Sequence, residues 1–257
     1  MLAVPVATHD ATEVPPGHGD GDAAEEDYSP ILPGKGASDY ERYLRTDELL
    51  ALQKTPEEMA HPDELLFQTV HQTAEMWLKL ACSEIARATE HLRAEELSAA
   101  IRLLRRSNDS MKIVIGLMDM LEHMSPWEYT RWIRPVLGHG SGFDSPGFNA
   151  VRRVSPELGA AFHDLRRAAG LSVIELYQRG REFEDLYQLA ELLIEWDERV
   201  TLWRIRHFKV VERVIGGEVV GTQGTPVELL EGLIHRRHYP ELWDARNELT
   251  ELAKEED

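Results

Sequence analysis

Apolar residues recur every three or four positions through most of this chain, and that spacing predicts helices. The stretch HPDELLFQTVHQTAEMWLKL, residues 61–80, carries the pattern clearly, and it runs on to about Leu92. Pro62 suits a first helical position, with Asp63 and Glu64 in the first turn, where the helix dipole favours acids. A second helix is expected over about 95–123, with Ile101, Leu104, Met111, Ile115, Met118 and Leu121 on its apolar side. Ser125-Pro126-Trp127-Glu128 has the form of a capping box and opens a shorter helix to about Val136. A Gly-rich loop, GHGSGFDSPGF (138–148), follows. Helical text resumes in VRRVSPELGAAFHDLRRAAG and in IELYQRGREF. The longest late helix is expected over 184–215, stopping at Gly216-Gly217. Residues 226–253 read as helical again. No run of alternating β-branched residues competes, so the expected class is all-α, a helical bundle with long central helices.

The first 36 residues break this pattern. They are rich in Gly, Pro, Asp, Glu and Ala and offer few side chains to a core, so residues 1–36 are expected to be a disordered segment and 37–257 one all-α domain. Order is expected to begin in SDYERYLRTDELLALQ (38–53), where Leu44, Leu49, Leu50 and Leu52 suggest short helical turns.

Composition narrows the function classes. The 257 residues are 42% hydrophobic with a formal net charge of −18. Such a chain repels phosphate backbones and anionic lipid surfaces, so neither nucleic acid nor membrane is an expected partner. No apolar run approaches the ~20 residues that span a bilayer, and the N-terminus lacks the basic and apolar regions of a secretory signal. The single cysteine, Cys82, sits among Leu80, Ala81 and Ile85 and reads as a buried structural thiol. A cytoplasmic protein is expected.

Two histidines stand where the pattern asks for apolar residues. His71 lies four residues after Phe67 and seven before Leu78. His207 lies in a stripe of Trp196, Val200, Trp203, Val210 and Val214. Read singly, each could be a core imidazole bonded to backbone or water. Read together, one could bind a metal while the other handles a proton, as helical bundles build sites from facing helices. Zinc wants three or four convergent ligands; His235 and His238 in HRRH lie in a charged stretch and read as solvated. A non-haem iron site wants a second histidine and a carboxylate at close spacing, which neither helix offers. One axial imidazole in an aromatic and aliphatic wall suits haem better, with Arg204, Arg206, Lys209 and Arg213 as cationic neighbours for its propionates.

The residues also carry a resemblance. Asp63-Glu64 to Phe67, His71-Gln72-Thr73, Glu75-Met76-Trp77 and Lys79-Leu80 are similar to the first long helix of the tryptophan 2,3-dioxygenase family. Tyr40 to Leu44, with Leu49, Leu50 and Gln53, resembles the segment before it. Ser141-Gly142-Phe143 with Ser145 resembles the family's Ser-Gly-Phe-Gln-Ser loop. Trp203-Arg204, Arg206-His207, Val211, Arg213, Ile215-Gly216 and Gly221-Thr222 resemble its haem-ligand helix and following loop. The blocks keep the family's order over about residues 38–225.

The resemblance implies an all-α bundle enclosing a haem b, with O2 as co-substrate and tryptophan or another indole-containing amino acid as substrate. It implies a homotetramer in which the N-terminal segment, with Tyr40 and Tyr43, completes a neighbour's site. His207 falls on the iron ligand and His71 on the distal histidine that meets the indole N–H. Phe67 falls on the indole wall, Arg134 on the partner of the substrate carboxylate, and Ser141 and Thr222 on hydroxyls near the amino-acid end. Without the resemblance, Arg134 would be a solvated arginine, Ser141 and Thr222 turn residues, and Phe67, Tyr40 and Tyr43 packing residues.

Departures from the family pattern cluster near the amino-acid end of the substrate. Gln223 replaces a glycine, Pro226 stiffens the exit, Ile133 stands where an aromatic precedes the arginine, Asp144 replaces a glutamine, and Pro146-Gly147 interrupts the approach to the next helix. The leading expectation is a haem-dependent oxygenase that dioxygenates C2–C3 of tryptophan or a substituted tryptophan, giving an N-formylkynurenine-type product. The alternatives are a mono-oxygenating relative with an oxindole or hydroxylated product, and a non-catalytic haem-binding sensor.

Overall fold

The structure, a computed structural model, describes residues 28–224 and 226–255; the part of the expected disordered segment that covers residues 1–27 lies outside them. By contacts the chain divides into two compact units, Met1–Leu52 and Gln53–Asp257.

In the described part of the first unit, α1 (Asp39–Leu44) and α2 (Thr46–Leu50) are short. Ser38 opens α1 with a full capping box to Glu41, and Arg45 turns the chain between the helices at φ 54°. Residues 28–36 are not helical but fold back on α1. The Asp39 carboxylate accepts from Ile31 N and Leu32 N, and Arg42 donates to the carbonyls of Pro30, Leu32 and Gly36. Neither helix buries a residue, and Tyr40 and Tyr43 are 69% and 78% exposed.

In the second unit, α3 (Glu64–Arg93) pairs with α4 (Leu97–Gly116) through a three-residue turn, with Glu95 at φ 60°. The helix α10 (Glu184–Ile215) packs on α4, and α8 (Pro146–Ala168) packs on α3. Between them Leu78, Ile85, Leu104, Met111, Leu158, Phe162, Leu189, Leu193 and Trp196 are buried completely or nearly so. Several polar groups inside this core are paired, although Asn108 Oδ1 has no partner among the described residues. Trp196 Nε1 donates to Ser155 Oγ at 3.0 Å, Ser107 Oγ to Ala81 O at 3.1 Å, and Tyr239 Oη to Ser155 O at 3.0 Å. A buried polar group left unpaired would cost about 1–3 kcal/mol, so these bonds specify the register of the packed helices.

Among the described residues there is no strand, only an isolated bridge between Val220 and Pro226. The all-α class is therefore correct, and α10 has the predicted bounds. Several boundaries differ. Pro62 precedes the helix, which starts at Glu64 behind Asp63. The helix expected over 95–123 stops at Gly116, the weakest helix former in it, and resumes as α5 (Met118–Leu121). Ile115 is only partly buried, and Val114 takes the core place. Ser125 caps Glu128 N and opens α6 (Pro126–Glu128), but a π-helical turn at Tyr129–Ile133 intervenes before α7 (Arg134–Val136). Pro146-Gly147 does not interrupt an approach: Pro146 is the first residue of α8, behind the N-cap Ser145. After α9 (Val173–Gln178), α10 ends at Gly216, φ 97°. The last expected helix is two, α11 (Glu228–Ile234) and α12 (Pro240–Glu255). The break has a cause. Asp197, fully buried on α10, accepts from the backbone N–H groups of His238 and Tyr239, which draws them out of a continuous helix, and also from Trp243 Nε1.

Candidate active site

A cavity of about 760 Å³ opens between α3, the α6–α7 segment, the 138–145 loop, α8, the C-terminal half of α10, and the chain from 221 to 238. That is the size of a pocket for a cofactor or a drug-sized ligand, ~300–1,000 Å³. Phe67, His71, Arg134, Ser141, His207 and Thr222 all line it. Tyr40 and Tyr43 belong to the first unit and do not.

Helical geometry brings the two imidazoles here. Phe67, His71 and Glu75 are four apart on α3 and so share a face; Trp203 and His207 do the same on α10. His71 Nδ1 lies 2.7 Å from the Phe67 carbonyl oxygen. A carbonyl only accepts, so Nδ1 carries the proton and donates, and in the neutral ring Nε2 is left as an acceptor. Phe67 also stacks on the ring, with centroids 4.0 Å apart. Desolvation by the side chains around the cavity holds His71 below the ordinary imidazole pKa, although the ring stays accessible through that cavity. His207 is pushed down to about 4, first by burial and then by repulsion from His71. Both rings are therefore neutral at pH 7, the form in which an imidazole ligates a metal or accepts a proton.

The His207 ring is stacked at 4.9 Å on Trp203, itself stacked at 3.6 Å on Phe148. Its Nε2 points to Gly142: a Cβ built there would lie 3.9 Å from that nitrogen. Glycine thus keeps a side chain out of the space before the ligating atom. The 138–145 loop is held there by Glu75. Its carboxylate accepts from Ser145 Oγ and from Gly147 N at 2.8 Å, where α8 begins. Gly147 itself admits no side chain, because a Cβ would lie 2.7 Å from Leu78 and 2.8 Å from Glu75. A neutral imidazole lining a largely apolar cavity, with a glycine near its Nε2, fits a residue that would hold haem.

At the other wall the chain 220–223 is tied to the 138–145 loop. Thr222 Oγ1 donates to Gly140 O, and Arg134 Nη2 to Val220 O. Gln223 Nε2 donates to His139 O at 3.0 Å and to Asp144 Oδ2 at 2.7 Å. Two residues that depart from the family pattern, Asp144 and Gln223, therefore bond to each other. Ser141 Oγ accepts from Phe143 N, the turn role, while also lining the cavity.

Sequence reading missed several lining residues. Tyr129 packs on Phe67 and comes into line with Arg134 through the π turn, in which Arg134 N bonds to Tyr129 O. Spacing rules for an α-helix do not pair residues five apart. His238, expected to be solvated, is half-buried and lines the cavity, because Asp197 anchors its backbone. The proposed propionate partners also change. Arg206 pairs with Asp119 and Glu122, Arg213 with Glu122 and Lys209 with Glu212; none of the three lines the cavity, whereas Arg204 does. Cys82 is buried and its thiol pushed up to about 11 by burial, as a structural thiol should be.

The chain as a whole matches known proteins. A family model described as tryptophan 2,3-dioxygenase matches residues 30–164 and 158–249. A tryptophan 2,3-dioxygenase of Bacillus thuringiensis (strain Al Hakam) is 30% identical over 261 residues, covering 82% of this chain and 92% of the relative. That of Myxococcus xanthus is 31% identical over 266 residues, covering 84% and 91%. That of Caulobacter vibrioides is 32% identical over 261 residues, covering 82% and 98%. Matched over most of its length and of theirs, the chain belongs to the tryptophan 2,3-dioxygenase family, whose members are haem-dependent oxidoreductases.

Proposed function

We propose that this protein uses O2 to oxidise the indole ring of L-tryptophan, adding both oxygen atoms across C2–C3 to give an N-formylkynurenine-type product. The reading is carried by one observation: two neutral imidazoles, His71 on α3 and His207 on α10, line a single apolar cavity. Haem held there by His207 would supply the iron chemistry that activates O2.

The chain's own residues would do the rest. His207 would hold the iron. His71 Nε2, left as an acceptor by the bond from Nδ1 to Phe67 O, would take the indole N–H and so fix the ring's in-plane orientation. Phe67 and Tyr129 would wall the ring. Arg134, whose guanidinium matches a carboxylate in a way a lysine cannot, would hold the amino-acid end with Thr222 and Ser141. The paired loops 138–145 and 220–223 would keep water out during reaction. Tyr40 and Tyr43, exposed on the first unit, would complete a neighbour's site in a homotetramer. Among the described residues no helix is long and apolar enough to cross a membrane.

The test is turnover of L-tryptophan under ¹⁸O2 with mass spectrometry of the product. Two labelled atoms are expected. A product with one labelled atom would make the protein a mono-oxygenase, and no turnover of any indole by haem-loaded protein would reject the enzyme role.

A further inference from the structure

We propose that Arg152, Arg204 and Arg236, with His238 beside them, form the anchor for the two propionate carboxylates of the haem. The inference rests on the haem reading above and assigns its polar end. Arg152 comes from α8, Arg204 from α10, and Arg236 and His238 from the break between α11 and α12; all four line the same cavity. Arg204 is three residues before His207, and so stands on the neighbouring turn of the same face.

Clustering on one cavity together with the lack of carboxylate partners marks this group. The chain has 46 acids against 28 basic residues, and Arg206, Arg213, Arg199 and Arg246 each have a carboxylate partner. Among the described residues no carboxylate lies in ion-pair range of Arg152, Arg204 or Arg236. Arg152 bonds to the Asn149 side-chain oxygen and Arg204 to the Arg236 carbonyl. Arg204 is part-buried, with Arg236 and Arg152 near enough to repel it. The nearby carboxylate is Asp197, whose oxygens are occupied by His238 N, Tyr239 N and Trp243 Nε1. His238 Nε2 is buried with no hydrogen-bond partner. Arg237 is set apart, with Asp244 at 3.7 Å and its guanidinium over the Trp243 ring.

Unpaired cations and an unpaired imidazole nitrogen at one end of an apolar cavity call for an apolar ligand with more than one negative group at its edge. The amino-acid substrate has a single carboxylate, and Arg134 serves it from a different wall. Porphyrin dicarboxylate has the required chemistry. Asp197 then acts as a positioning residue, fixing the backbone that presents His238.

The test titrates the full-length apoprotein with haem and, separately, with haem dimethyl ester, whose carboxylates are capped. Binding is read from the Soret band and from quenching of tryptophan emission, so turnover is not needed. Arg152→Gln and Arg236→Gln are chosen because both residues are largely exposed and the fold should tolerate them; melting curves check this. Each is expected to weaken haem binding about tenfold and leave the ester's affinity unchanged, while Arg236→Lys retains most of the affinity. Haem affinity equal to wild type in both variants, or parallel loss for haem and ester, would overturn the assignment while sparing the haem reading. Failure of the wild-type protein to bind either porphyrin would overturn both.

Discussion

The two halves of α10 share one hydrophobic stripe and live in different surroundings. From Leu189 to Val200 the stripe is buried against α4 and α8, and its one indole N–H, Trp196 Nε1, is bonded to Ser155 Oγ. From Trp203 to Val214 the same periodicity faces the cavity, Trp203 Nε1 has no partner, and loops and short helices join α3 and α8 in covering it. Periodicity therefore reports that a face is covered and is silent on what covers it. The first half gains its stability from packing. The second would be completed by the proposed haem.

The largest expected contrast comes from truncating one aromatic in the first half and one imidazole in the second. Trp196→Ala should cost about 3–5 kcal/mol in the apoprotein, read from denaturant unfolding, since it opens a void and strips Ser155 Oγ of its donor. His207→Ala should change apoprotein stability by less than about 1 kcal/mol, because the ring faces open space. It should instead abolish the rise in melting temperature that haem gives the wild-type protein. Similar destabilisation by both changes would erase the distinction between the halves.

Asp197→Ala lies at the boundary. Removing its carboxylate leaves three buried or part-buried N–H groups without an acceptor, for a cost of about 2–4 kcal/mol. Unlike Trp196→Ala, it should also weaken haem binding, because the His238 turn loosens. A stability loss with unchanged haem affinity would confine Asp197 to the core.

How much was legible follows the same divide. The bounds of α10 and the span of α3 were readable because apolar spacing is regular in both and a glycine stops α10. His71 and His207 were readable because an imidazole interrupts a regular apolar stripe, whereas Phe67 continues one and reads as packing without the resemblance. Arg134, Ser141 and Thr222 carried no such signal, and only the resemblance brought them forward. Tyr129, Arg236 and His238 escaped. The first depends on a π turn, and the other two on a buried carboxylate that breaks a helix from forty residues away in sequence.

A smaller effect is expected at the loops. Gln223→Ala removes the bonds to Asp144 and the His139 carbonyl and should raise KM for L-tryptophan by a few-fold, with kcat nearly unchanged. An equal fall in kcat would mean that the latch acts on chemistry rather than on substrate capture. Smallest of all should be the effect of mild acid on haem uptake. An ordinary imidazole near pKa 6.5 is mostly protonated at pH 5, but His207, pushed down to about 4, keeps its lone pair there. Its folded-state pKa is depressed, so the apoprotein loses this contribution to stability as pH falls from about 6.5 towards 4. Haem uptake followed from pH 7 to pH 5 should change little.

The most direct measurement is the absorption spectrum of the ferrous haem-loaded protein, for wild type, His207→Ala and His71→Ala. The wild-type and His71→Ala proteins should share the spectrum of a single-histidine ligand, with only His71→Ala changed in its response to L-tryptophan. His207→Ala should lose haem or that spectrum, and a His207→Ala protein that keeps both would contradict the account.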